Sequence, residues 1–182
     1  MMVAAVTLVG AMLWAVPVQA QGPAMPSIDL GIGYQYLRAP DDQGYPVGVN
    51  VDVSGRLLAG VRWVGEVGFA RDRAKDAQAD VTSTLMAVNY GGGLRFAPGR
   101  GRWPYAQVIV GRHRDSFTLS AEGIGDVIST SETNLMVQPG IGLGFNVGRW
   151  RVFAQADYRR IFYEAQEEND YRAVAGLRFR LK

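Results

Sequence analysis

The side chains able to do chemistry in this chain are carboxylates, guanidinium groups and one imidazole, set along short segments of alternating polarity. Glu66 and Asp157 fall midway along two such segments, and Arg62, Arg95, Arg159 and Arg178 lie within a few residues' rise of them. Charges withdrawn from water are tolerated when they are paired and hydrogen-bonded. The spacing therefore predicts an internal Glu66/Asp157–Arg network, with Asn89, Gln107 and Gln155 filling the remaining polar positions. Such a network is either a static polar core or a gated path for protons or small ions. A second set, Arg38, Arg71, Arg73, Arg112, Arg114 and Arg160, gathers near one end of the same segments. Arginine forks onto phosphate oxygens in bidentate fashion, so arginines at a membrane surface would meet phosphorylated lipid. A third set is His113 with Asp115, Ser116, Glu122 and Glu132. A nucleophile needs its base within hydrogen-bond reach, and a histidine beside arginines also reads simply as a rim residue.

Much other chemistry is excluded by composition. The 182 residues include no cysteine and one histidine, so disulfides, thiolate sites and His-based metal clusters are ruled out. Neither a metal nor a cofactor is expected. The formal charge is +2, and the basic residues, all arginine except Lys75 and Lys182, are scattered, which argues against a nucleic-acid partner. Gly55, Gly60 and Gly91–Gly93 do not sit on strand-to-helix turns, so no phosphate loop is read.

Eight segments with period-two alternation must position these groups. They run over Ser27–Arg38, Val47–Arg56, Val61–Arg71, Thr84–Phe96, Trp103–Arg114, Asn134–Val147, Trp150–Tyr163 and Tyr171–Lys182. Val47, Val49, Val51 and Val53 against Gly48, Asn50, Asp52 and Ser54 is the cleanest case; Ile109 muddies the fifth segment. Alternation fits a soluble ligand-binding barrel with its apolar face inward, or a membrane barrel with that face outward. Four features select the membrane barrel. Connections alternate between long polar ones (39–46, 72–83, 115–133, 164–170) and short turns (57–60, 97–102, 148–149). The polar face carries small and charged residues suited to a narrow lumen, and strands of this length cross a hydrocarbon layer when tilted. Finally, Trp63, Phe96, Trp103, Trp150 and Phe179 fall at one rim, while Tyr36, Phe69, Tyr158, Phe162, Tyr163 and Tyr171 fall at the other.

Residues 1–20 are apolar, uncharged and close on Val18-Gln19-Ala20, as a cleaved signal peptide would, although no basic residue precedes the apolar run. The expected organisation is a signal peptide over 1–20, a linker over 21–26 and a barrel over 27–182. The fold class is all-β: an eight-stranded antiparallel up-and-down transmembrane barrel.

The stretch from Pro139 to Lys182 resembles the last strands of small bacterial outer-membrane barrels of the OmpA-like/OmpX-like group. The resemblance rests on Gly140-x-Gly142-x-Gly144, Gln155-Ala156-Asp157-Tyr158 and Gly176-Leu177-Arg178-Phe179, with WVGEVGFARD (63–72) in support. It implies residence in a Gram-negative outer membrane, insertion by the barrel-assembly machinery, and contact with lipid and lipopolysaccharide. Members commonly end on an aromatic residue; here Leu181-Lys182 follow Phe179-Arg180, and Leu181 continues the outward face. The function expected is structural, non-enzymatic and interactive, with the arginine belt on lipopolysaccharide and loop 115–133 holding an extracellular ligand. A narrow low-conductance porin is the first alternative. A lipid A-modifying enzyme using His113 is the second, although His113-Arg114-Asp115 lacks the His-x-Ser spacing of lipid A deacylases.

Overall fold

A computed structural model describes residues 28–38, 44–76, 81–97, 103–121, 125–148, 150–163 and 167–181. The expected signal peptide and linker lie outside these residues, as do Ser27, Glu122 and Lys182. Eight antiparallel strands form one sheet: β1 (Ile28–Arg38), β2 (Val47–Leu58), β3 (Val61–Asp76), β4 (Val81–Phe96), β5 (Trp103–Ala121), β6 (Gly125–Val147), β7 (Trp150–Phe162) and β8 (Glu167–Leu181). Each pairs with its sequence neighbour, and β1 pairs with β8 from Ile28↔Leu181 to Arg38↔Tyr171. The sheet therefore closes on itself. Closure pairs the backbone groups of every strand, which is the condition for placing a sheet in lipid.

A short piece, Gly44–Tyr45, continues the β1 ladder above β2, and Pro46 separates the two. Proline has no N–H to give a ladder, so the strand breaks there and the register shifts by one. At the other end β2 turns into β3 through Gly60 (φ 75°), and β6 leaves through Gly148 (φ 61°). Both need the left-handed backbone that glycine adopts without strain.

The burial pattern decides which face is inside. Ile32, Val49, Val67, Leu94, Val110, Ile141 and Leu177 are exposed on the outer wall, while Gln35, Asn50, Glu66, Arg95, Gln138 and Arg159 are enclosed. Among the described residues, buried polar and charged side chains outnumber buried apolar ones. A water-soluble barrel would reverse this, so the outer wall is a lipid-facing surface. Val152, Ala154, Ala156 and Tyr158 of β7 face outward and Arg151, Phe153, Gln155 and Asp157 inward. Ile109, whose neighbours blur the period of β5, faces the lumen and is fully buried.

Two expectations need correction. The long connections 72–83 and 115–133 are largely strand: Asp72–Asp76 pairs with Val81–Leu85, and Asp115–Ala121 with Gly125–Glu132. Val, Ile, Thr and Phe recur in Val81–Leu85, Asp115–Ala121 and Gly125–Glu132 and favour extended backbone, so hairpin pairing carries past the membrane band. Tyr163 does not join the outer aromatic rim. It keeps the inward parity of Arg159 and Ile161, and its hydroxyl donates to Asp115 Oδ2 at 2.8 Å. Of the other outer-rim aromatics, Tyr158 lies opposite Tyr171 with ring centroids 5.7 Å apart. At the short-turn rim, Trp150 meets Phe179 at 4.4 Å.

Candidate functional site

Tiers of buried side chains occupy the lumen, and strand tilt decides which residues share a tier. Following paired residues from Tyr45 on the β2 side through Leu37, Arg172, Asp157, Gly140, Gln107, Arg95 and Arg62 returns to β2 at Arg56. Each circuit of the ladder climbs the wall, as closure of a tilted sheet requires. Residues distant in ladder position can therefore meet across the axis.

Arg172 occupies the central tier and has no exposed side-chain surface. It lies directly opposite Asp157 on β7, and its Nε and Nη2 donate to Asp157 Oδ2 at 2.8 and 2.7 Å. The same guanidinium reaches across the lumen to Glu66 on β3, with Nη1–Oε1 at 2.6 Å and Nη2–Oε2 at 3.0 Å. It also donates to Asn50 Oδ1 at 3.0 Å. Gln138 Nε2 donates to Glu66 Oε1 (3.2 Å) and Gln155 Nε2 to Asp157 Oδ2 (2.9 Å), so neither carboxylate is left short of donors. The expected carboxylates are thus joined, but by an arginine outside the predicted set. Arg172 was legible as polar-face only; its partnership with Asp157 depends on hairpin register, set by where the β7–β8 turn falls.

The predicted arginines serve other tiers. Arg95 donates to Asp52 Oδ1 (3.1 Å) and Gln107 Oε1 (2.9 Å), while Arg178 takes Asp52 Oδ2 at 2.9 Å. Arg178 lies over the ring of Phe153 at 4.4 Å, and Arg95 over that of Tyr105 at 4.9 Å. Arg62 pairs with Asp29 at 3.0 Å. Arg159, fully buried, donates to Gln138 Oε1 at 3.0 Å and stands 3.9 Å from Asp170. Asn89 is buried over Gly68. Asp29, Asp52 and Arg172 complete the network and carried only the parity signal. Gly140 and Gly142 make the crowding possible. A Cβ on Gly140 would stand 1.8 Å from Asp157 Oδ1, and one on Gly142 2.3 Å from the Tyr105 ring.

At the long-loop mouth, His113 is 2% exposed. Its Nε2–H donates to Asp115 Oδ1 at 2.9 Å, and its Nδ1 accepts from Arg159 at 3.4 Å, an arrangement that holds the ring as the Nε2–H tautomer. Both ring nitrogens are engaged without a hydroxyl. Ser116 has the opposite strand parity to His113, so its Oγ faces away from the ring. Glu132 lies across the ladder from Asp115 and is exposed; Glu122 lies outside the described residues. Among the described members of the set, His113 and Asp115 form a polar cap joined by Tyr163. Burial pushes Asp170 from 3.8 up to about 6, with Asp115 and Glu168 adding to the rise and Arg159 and His113 opposing it. Burial also acts to raise the Asp115 carboxyl, but hydrogen bonds from His113 and Tyr163 outweigh it and leave the group below its usual value.

The belt arginines Arg38, Arg71, Arg73, Arg112, Arg114 and Arg160 are all exposed with outward parity. Arg112 sits between Tyr90 and Leu135, both exposed on the wall. Arg114 donates to Ser131 Oγ at 3.1 Å, and Arg160 pairs with Glu167 while lying 5.7 Å from the Phe162 ring.

Comparison with known proteins agrees with this architecture. Among solved structures, Ail of Yersinia pestis, determined with the heparin analogue sucrose octasulfate, matches at TM-score 0.55 and 18% identity, over 85% of this chain and 97% of that one. Neisserial surface protein A matches at TM-score 0.60 and 11% identity, over 87% and 99%. A major outer membrane protein of Thermus thermophilus matches at TM-score 0.66 and 9% identity, over 87% and 100%. Identities this low establish the fold. No curated protein sequence matches. The model of the outer membrane protein beta-barrel domain matches residues 3–180. With an apolar outer wall, a charged and filled lumen and that match across nearly its whole length, the chain belongs to the outer membrane protein β-barrel family and resides in the bacterial outer membrane.

Proposed function

We propose that the protein is a non-enzymatic, non-conducting element of the outer membrane that braces the envelope through its outer wall and external hairpins. The observation that carries this reading is Arg172, which spans the lumen between Glu66 and Asp157 and leaves the axis occupied by paired charges. A path for ions would require those pairs to part, and separating buried opposite charges is strongly unfavourable. This favours the brace over the narrow pore. The outward arginines contact lipopolysaccharide: Arg112, Arg114 and Arg160 lie at the upper edge of the apolar wall, where lipid phosphates stand. The β5–β6 hairpin beyond Arg114 is the surface offered to an extracellular ligand.

Single-channel recording in planar bilayers tests the closed lumen. The expected trace is silent for the native chain, and steady ion steps at low voltage would overturn the reading. Triple substitution of Arg112, Arg114 and Arg160 by Gln tests the belt by co-purification with lipopolysaccharide. The variant is expected to retain several-fold less while keeping the mobility shift between boiled and unboiled samples. Equal retention would remove the belt from the proposal.

A further inference from the structure

Charge is unevenly distributed along the lumen. Near the long-loop mouth Asp115 and Asp170 flank Arg159, and at mid-height Glu66 and Asp157 share Arg172. Toward the short-turn mouth the balance reverses. Asp52 is held between Arg95 and Arg178, and Asp29 faces Arg62 at 3.0 Å, Arg151 at 3.3 Å and Arg180 at 3.8 Å. Among the described residues, one carboxylate faces three guanidinium groups at this end.

Arg151 and Arg180 border a cavity of about 200 Å³ beside the turn at Gly148. Its polar wall is Asp29, Asn146, Arg151, Arg178 and Arg180, with Arg151 donating to Asn146 Oδ1 at 3.0 Å and to Asp29 Oδ2 at 3.3 Å, and its apolar lip is the edge-to-face pair Trp150 and Phe179. Arg178 is 4% exposed, and its Nε is buried without a hydrogen-bond acceptor. Arg180 is the reverse, with 63% of its side chain exposed at the opening. Buried and exposed guanidinium donors lining one half-open cavity suit a tetrahedral oxyanion, because each guanidinium offers parallel donors to neighbouring phosphate oxygens. The aromatic lip stands where hydrocarbon meets water.

We propose that the short-turn mouth is a phosphate-binding site, filled by the head group of a periplasmic-leaflet phospholipid or by a soluble phosphate. Arg151 and Arg180 supply the main donors, and Trp150 and Phe179 set the depth at which a lipid would enter. The acyl chains of such a lipid lie along Val152 and Leu177 on the outer wall, both exposed beside the lip. Asp29 holds Arg62 and Arg151 in place.

The full chain, folded in a phosphate-free detergent, tests the site in two arms. The first titrates inorganic phosphate against chloride at matched ionic strength by calorimetry. The second counts phosphatidylglycerol molecules retained in native mass spectrometry. Arg180→Gln, Arg151→Gln and their combination are compared with Arg160→Gln at the opposite end. Each mouth substitution is expected to weaken binding about tenfold, the loss of one charge-assisted contact, while Arg160→Gln leaves it unchanged. Retained lipid lost in the mouth variants assigns the lipid source. A phosphate isotherm lost in those variants without a lipid difference assigns the soluble source. The inference is overturned if neither arm separates them from the native chain, or if chloride matches phosphate. Arg180 is exposed, so the single Arg180→Gln variant carries the test should the double variant fail to fold.

Discussion

Arg172 is the side chain on which the interior most depends. Its removal strands two buried carboxylates, and breaking a buried pair this way is worth about 3–5 kcal/mol. Arg172→Met is therefore expected to lower the unfolding midpoint sharply in detergent, read from loss of the unboiled gel band with temperature. Combining it with Glu66→Gln and Asp157→Asn should recover much of the loss, since neutral amides no longer need a cation; no recovery would mean that Arg172 acts through packing. Gly140→Ala should reproduce part of the damage, because its methyl would displace Asp157 Oδ1 from below. Asp170 yields a prediction of opposite sign to the usual carboxylate. Its folded value of about 6 lies above the ordinary 3.8, so the folded state binds more protons between those values. Stability is then expected to fall as pH rises from about 4 to 6. Asp170→Asn should flatten that slope in a series of thermal melts, and an unchanged slope would assign it elsewhere.

The β5–β6 hairpin is two structures in sequence. Below Arg114 it is barrel wall, paired on both sides; above Asn134 toward Gly125, β6 pairs with β5 alone, because β7 ends at Phe162 opposite Leu135. Above Arg114 this ribbon continues sideways into β4, which pairs Val81–Ala87 with Asp115–Ala121, and as an open sheet edge clear of the closed wall it contributes less to global stability than the barrel. Replacing residues 116–131 by a short turn is therefore expected to leave the heat-dependent gel shift within a few degrees of the native chain. Collapse of the barrel on that deletion would show that the ribbon nucleates the wall. Arg160 and Glu167 form an ion pair with both side chains about half exposed, and such pairs hold less than about 1 kcal/mol.

The molecule as a whole is stabilised from the outside by lipid and from the inside by charge. Its wall is therefore the surface least tolerant of a new cation. Ile141 is 68% exposed near the middle of the part of β6 that pairs with β7, and Ile141→Arg should cost about 2–4 kcal/mol on folding into vesicles. The measurement is the fraction folded across a urea series in bilayers. An equal substitution inside the lumen would act through packing rather than through lipid, which separates the two faces experimentally.

Strand number, facing and membrane residence were legible because they depend on local parity. Val47 to Val53 alternates with Gly48 to Ser54 whatever its neighbours do, and closure is the form in which so many amphipathic strands can sit in lipid. The lengths of β5 and β6 were not legible, because Ser/Thr-rich stretches such as Ser116–Ser120 read equally as loop until a partner strand pairs with them. The inward residues followed from parity, but their partners did not. Asp157 meets Arg172 through a hairpin register, and Glu66 joins them through strand tilt around the closed circuit. Those are relations between strands, and no single segment encodes them.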